Sequence, residues 1–242
     1  MNLIIDVGNT LVKFAVFKAD EIVYKEEFKH RSFVKHFKNV LNVYPDINNA
    51  ILSTVGQFNE KYIQLVNKHL NCIELNANTK LPFNNKYETP KTLGVDRIAL
   101  VSASVLHFPD QNVLIIDAGT CVTYDFITND NNYIGGAISP GLSMRYRALN
   151  TFTAKLPLLN VQQPKSVVGK TTESSIHSGV VNGIVLEIDG VIDQYKEQFG
   201  DLTVILTGGD SKFLSNQLKN SIFANSNFLL QGLNYILQFN LK

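Results

Sequence analysis

The chain has 242 residues and a mass of 27.0 kDa, room for one large domain or two compact halves. Hydrophobic residues make up 45% and charged residues 18%, so a sizeable core can form and wholesale disorder is excluded. A net charge of +1, from 22 basic and 21 acidic side chains, excludes the basic footprint of a dedicated nucleic-acid binder or a polybasic membrane-surface protein.

The first predicted element is a β-hairpin. Leu3-Ile4-Ile5-Asp6-Val7-Gly8-Asn9-Thr10 runs into a second extended stretch, Leu11–Phe17, with the turn at Asp-x-Gly. Helical spacing follows over Phe33–Val43, a short apolar strand over Ala50–Val55, and a helix over Glu60–Leu70. Pro82 and Pro90 bracket an irregular stretch that ends in Gly94-Val95-Asp96-Arg97, ahead of a helix over Ile98–His107. At Leu114 the opening pattern returns as Leu114-Ile115-Ile116-Asp117-Ala118-Gly119-Thr120, followed by extended Cys121–Ile127. The two copies begin at Leu3 and Leu114, about half a chain apart, which is too far for a short solenoid repeat. A long helical pattern covers Ser174–Phe199, interrupted by Gly179, Gly183 and Gly190. Thr203–Leu206 reads as a buried strand, Thr207-Gly208-Gly209-Asp210 as a turn, and Ser211–Leu218 as a helix. The sum is α/β in two similar halves, residues 1–110 and 111–242, with the boundary near Pro109–Asn112.

A carboxylate closing a buried strand beside a glycine turn can hold a hydrated divalent cation, while turn N–H groups and a Thr hydroxyl approach phosphate oxygens. One such turn could equally be an ordinary hairpin whose Asp caps its own backbone. The duplication of the pattern favours the phosphate reading. A Gly-Gly turn such as 207–210 is common by itself, but it lets another body approach the backbone, and adenosine suits that place.

The order Asp6-x-Gly-Asn-Thr, Asp117-x-Gly-Thr, Thr207-Gly-Gly-Asp resembles the acetate and sugar kinase, Hsc70 and actin superfamily. More narrowly, three segments look like the signature of type III pantothenate kinase: Tyr87-x-x-Pro90-x-x-x-Gly94-Val95-Asp96-Arg97, Gly135–Gly141, and Gly169-Lys170-Thr171-Thr172. The resemblance implies a duplicated actin-like, ribonuclease H-like two-domain kinase fold with a central nucleotide cleft. It also implies ATP-dependent phosphorylation of pantothenate to 4′-phosphopantothenate, the entry step of coenzyme A synthesis. By the same resemblance Asp96 is the catalytic base. Asp6, Val7, Gly8, Asn9, Thr10, Leu11, Val12 and Lys13 form the ATP segment, with Asp6 nearest Mg²⁺, and Thr120 contacts ATP. Asp117 matches a site for a monovalent cation, potassium or ammonium. Tyr87, Gly94, Val95, Asp96, Arg97 and Thr172 match the pantothenate site, and the family implies a homodimer. A non-catalytic nucleotide-binding regulatory protein on the same fold is the alternative. The presence of Asp6, Asp96 and Asp117 counts against it.

Residue chemistry agrees with these roles. Alcohol phosphorylation needs a proton acceptor, positioning, and neutralisation of phosphate charge. Standing just before the Ile98 helix, Asp96 could serve as that acceptor or as a simple N-cap. A guanidinium, a phenol and a hydroxyl suit a ligand with a carboxylate, two hydroxyls and an amide. Gly169-Lys170-Thr171 imitates the tail of a P-loop, but Pro164 stands where that motif needs glycine. Thr171 and Val95 depart from residues common in the family, leaving the catalytic positions intact. Gly135–Gly141 is either a ligand-facing loop or a turn leading into a Leu142–Leu149 helix. His107 and His177 read as structural, and Arg145 and Arg147 carry no assigned role.

Cys72 and Cys121 cannot by themselves make a disulfide framework or a zinc site. No run approaches the ~18 consecutive apolar residues of a membrane span, and the first residues lack an export signal. The expectation is a soluble cytoplasmic protein with no nucleic-acid or membrane partner.

Overall fold

The computed structural model describes residues 1–56 and 58–241. They form two compact units, one of Met1–Pro109 with Asn227–Lys242 and one of Asp110–Ser226.

In the first unit, β1 (Asn2–Val7), β2 (Val12–Lys18) and β3 (Glu21–Phe28) form an antiparallel meander. A 3₁₀ turn (His30–Ser32) leads into α1 (Phe33–Val43). Next, β4 (Asn49–Thr54) pairs parallel with β1, and α2 (Glu60–His69) returns the chain to β5 (Asn71–Glu74), parallel with β4. The sheet order is β3-β2-β1-β4-β5. The short β6 (Asn84–Asn85) and a 3₁₀ turn (Pro90–Thr92) precede α3 (Val95–His107). Central β1 is covered on both faces, which is why Leu3-Ile4-Ile5 reads as an unbroken apolar run. Leu3, Ile5 and Val7 pack with Phe14, Phe33 and Phe37, beneath α1. Strand alternation sends Ile4 and Asp6 to the other face.

The second unit repeats this plan. β7 (Val113–Ala118), β8 (Cys121–Ile127) and β9 (Asn132–Pro140) form the antiparallel meander, followed by α4 (Leu142–Thr151). After α5 (Thr172–His177), a π turn (Ser178–Asn182) and α6 (Gly183–Phe199), β10 (Thr203–Thr207) pairs parallel with β7. Then come α7 (Ser211–Ser215) and β11 (Phe223–Ala224), parallel with β10. The order β9-β8-β7-β10-β11 mirrors the first sheet strand for strand. The stretch Thr172–Phe199 is continuous helix with the length and apolar content of a membrane span. Its apolar stripe Ile176, Val180, Ile184, Ile188, Ile192 is the core of this unit, packed with Leu114, Ile116 and Leu206.

Several elements differ from the sequence expectation. The second domain was expected to reach residue 242, but α8 (Phe228–Leu241) belongs with the first unit, packing on α3, β1 and β4. Gly232 explains the docking: a Cβ there would collide with the Ala99 carbonyl, so two helix backbones approach closely. Gly135–Gly141 is neither loop nor simple turn, since residues 135–140 complete β9 and Gly141 caps α4. The helix expected from Ile98 begins at Val95, because Gly94 serves as an extended N-cap.

Candidate active site

Asp6 is the penultimate residue of β1, beside the first hairpin turn, and is 7% exposed. The sheet register lays out one row across four strands, Glu27–Lys13–Asp6–Ser53. Burial pushes the Asp6 carboxyl up to about 6. Lys13 opposes that shift, and the charges of Asp96 and Glu27 add to it. The Ser53 hydroxyl makes no well-formed hydrogen bond, yet its dipole also favours the ionised form. Beyond Asp6 the chain turns through Gly8, whose N–H donates to the Leu11 carbonyl at 3.0 Å, and Asn9 and Thr10 stand exposed at the tip.

Asp96 is the second residue of α3 and half-buried. It is therefore not the N-cap. Its Oδ1 accepts the Arg97 N–H at 2.9 Å, and a Cβ on Gly94 would collide with that same oxygen. Glycine at 94 thus makes room for the carboxylate. Asp96 and Asp6 lie close enough to interact electrostatically, which brings the expected base and the expected phosphate-site carboxylate together in one unit. Arg97 is 5% exposed, with its guanidinium carbon 5.5 Å from the centroid of the Tyr87 ring. Tyr87, Gly94, Val95, Asp96 and Arg97 therefore form one cluster in the first unit.

In the second unit, Asp117 occupies the place that Asp6 holds in the first. Thr123 on β8 and Thr207 on β10 flank it in register. Gly208, at φ 92°, packs directly on this turn, and a Cβ there would collide with Asp117 Oδ1 and the Ala118 carbonyl. The Asp210 N–H donates to the Ala118 carbonyl at 2.9 Å, and burial raises the Asp210 carboxyl. The two turns, at 117–120 and 207–210, are thus one structure, with Thr120 exposed beside it. Thr172 opens α5 after a Thr171–Ser174 capping box and lines a groove of about 1170 Å³ with Arg145, Phe152 and Lys170. It belongs to the second unit, whereas the Tyr87–Arg97 cluster belongs to the first.

Sequence reasoning passed over Glu27, Ser53 and His30, which reach the hairpin through strand register or across the sheet edge. Arg145, left without a role, donates through Nε to the Pro140 carbonyl and through Nη2 to Ser139 and Glu187. Tyr124 completes that network with a 3.0 Å bond to Glu187. His177 Nδ1 lies 2.8 Å from the Tyr146 hydroxyl, and His107 packs against Phe228, so both have structural partners. Both cysteines are free, and burial pushes the Cys72 thiol up to about 12. Among the described residues no group of three or more His, Cys, Asp or Glu could cage a metal ion. A single buried carboxylate at a glycine turn could hold a hydrated divalent cation that takes most of its oxygen ligands from elsewhere.

The family model described as type III pantothenate kinase matches residues 2–194. A type III pantothenate kinase of Christiangramia forsetii is 52% identical over 240 residues, covering 99% of both chains. One from Bacteroides fragilis is 43% identical over 241 residues, covering 99% of this chain and 98% of its own. Among solved structures, a glucokinase from an Antarctic psychrotroph superposes with a TM-score of 0.58 at 14% identity, covering 98% of each chain. A Campylobacter jejuni protein provisionally described as a Baf-family transcriptional activator gives 0.64 at 22% identity, covering 99% of this chain and 98% of its own. The duplicated α/β architecture is that of the sugar-kinase and actin-like fold, and the chain belongs to the type III pantothenate kinase family.

Proposed function

We propose that this chain transfers the γ-phosphoryl group of ATP to the 4′-hydroxyl of pantothenate, giving 4′-phosphopantothenate and ADP in the first step of coenzyme A synthesis. The observation that carries the reading is the pairing of Asp96 with Asp6 beside the buried Arg97 and Tyr87. Asp96 receives the hydroxyl proton as the oxygen lone pair forms the bond to phosphorus and the bond to the bridging oxygen breaks. Arg97 and Tyr87 orient pantothenate, with Gly94 and Val95 beside them in the first unit, and Thr172 is the second unit's own candidate contact for this substrate. The guanidinium is the donor suited to the substrate's carboxylate.

Asp6 through Lys13 hold the phosphates, with turn N–H groups donating to oxygens and Lys13 supplying positive charge. Mg²⁺ bound with the nucleotide neutralises phosphate charge and would be held by Asp6, whose burial leaves its carboxylate undersolvated until a cation arrives. Thr120 and the 207–210 turn are the second unit's own candidate nucleotide contacts. Asp117, flanked by the Thr123 and Thr207 positions, offers hard oxygen ligands for potassium or ammonium. Exposed Ile138, Met144, Phe152, Val168 and Leu186 on the second unit support a homodimer. The near-neutral charge supports a cytoplasmic enzyme without nucleic-acid partners.

The test is ADP release from MgATP with potassium, with and without pantothenate. Pantothenate-dependent release supports the assignment. A folded protein that binds ATP but shows no such dependence sinks it.

A further inference from the structure

A residue outside every recognised motif holds the tip of the first hairpin. His30, in the 3₁₀ turn after β3, places Nε2 2.9 Å from the Gly8 carbonyl oxygen. A carbonyl only accepts, so Nε2 carries the hydrogen and donates it. Gly8 also donates its own N–H to Leu11. Both polar groups of Gly8 are therefore engaged, and the plane of the Gly8–Asn9 peptide is fixed. Every described peptide is trans, and in a planar trans peptide the C=O and the following N–H point in opposite directions. Holding the Gly8 carbonyl towards the imidazole turns the Asn9 N–H away from it, outward at the exposed tip. The Phe58 ring stands edge-on to the imidazole, with centroids 6.1 Å apart at 76°, and restricts its swing.

We propose that His30 is a positioning residue for the phosphoryl donor: it aims the Asn9 N–H at an anionic oxygen by holding the Gly8 carbonyl back. Without this hold the peptide can flip and present a carbonyl oxygen to the triphosphate, exchanging a donor for a repulsive acceptor. The inference rests on the reading of Asp6–Lys13 as the phosphate segment. It adds a side chain outside that segment which fixes its orientation.

The experiment compares wild type, His30→Phe, His30→Gln and Asp6→Asn by MgATP calorimetry, by KM for ATP and for pantothenate, and by melting temperature. His30→Phe keeps a ring against Phe58 but has no donor, whereas His30→Gln restores an N–H. His30→Phe is expected to weaken MgATP binding and raise its KM about 10-fold, the size of one lost hydrogen bond. The KM for pantothenate and the melting temperature stay near wild type, and His30→Gln recovers most of the affinity. Unchanged MgATP binding in His30→Phe overturns the proposal. So does a parallel loss of both substrates with a lowered melting temperature, which would mark a purely structural role. If Asp6→Asn weakens MgATP binding while His30→Phe does not, only this inference fails. If Asp6→Asn also binds MgATP normally, the phosphate-segment reading fails with it.

Discussion

Burial pushes the Asp6 carboxyl, near the end of β1, up to about 6, and the charge of Asp96, in the first turn of α3, adds to that push. A like charge disfavours the ionised form of its neighbour, and a cation brought with the phosphates would offset it. Asp96→Asn is expected to lower turnover at least ~10²-fold, the ordinary contribution of a general base. It also removes the like charge, so Asp6 ionises at lower pH and MgATP binding persists further into the acid range than in wild type. A pH series of MgATP calorimetry on both proteins checks this. Coincident profiles would mean that the two carboxylates do not communicate.

Asp6 by itself sets a trade between stability and function. Its folded value, about 6, lies above the ordinary carboxylate value of 3.8, so the folded state binds the extra proton across that window. Stability from this group is therefore full below about 4 and is lost as pH rises through about 6, at a cost of up to about 3 kcal/mol. Asp6→Asn, isosteric and uncharged, should melt higher than wild type at pH 8, with the gap closing between pH 6 and 4. Saturating MgATP should reverse the order, because only wild type then gains a bound cation. A variant that melts lower at pH 8 without nucleotide would contradict the burial argument.

The duplication was legible because Leu-Ile-Ile-Asp-x-Gly carries its own physics: an apolar run buried on both faces, then a carboxylate at a glycine turn. Asp6 and Asp117 stand out for the same reason, whereas Asp96 stands out only through the family resemblance. The edge strands were harder to see. β3 alternates Ile22, Tyr24, Glu26 and Phe28 on its inner side, but Lys25, Glu26 and Glu27 mask the period. β9 was hidden by Gly135, Gly136 and Pro140, residues that usually mark loops. α8 was not among the predicted elements, although it buries Leu230, Leu233, Ile236 and Leu237 at helical spacing. Nothing local says which core it joins, since that depends on Gly232 meeting Ala99. His30, Glu27 and Ser53 reach the site only through register and turn geometry, which a linear reading does not contain.

The contact of Gly208 with the Asp117 turn can be tested by a pair of alanines. At φ 92° an L-residue is strained, and its Cβ would strike Asp117 Oδ1 and the Ala118 carbonyl. Gly208→Ala should cost about 2 kcal/mol or more of stability and raise the KM for ATP, because the two turns are pushed apart. Gly209→Ala meets nothing within 4 Å and should stay within ~0.5 kcal/mol of wild type. Chemical denaturation of both variants reads the difference directly. Equal stabilities would show that the Asp117 turn yields without cost.

Arg97 offers the sharpest separation of charge from shape. It is buried and stacked over Tyr87, and its planar fork suits a carboxylate as an ammonium does not. Arg97→Lys keeps the positive charge but loses the bidentate geometry and much of the contact with the ring. The KM for pantothenate should rise about 10- to 100-fold while the KM for ATP moves little, since the proposed ATP segment is the β1–β2 hairpin. Tyr87→Phe should be milder than Tyr87→Ala, because a face of the ring, more than its hydroxyl, holds the guanidinium. Steady-state kinetics with each substrate varied in turn would decide the matter. A rise in the KM for ATP alone would move Arg97 from the alcohol substrate to the nucleotide.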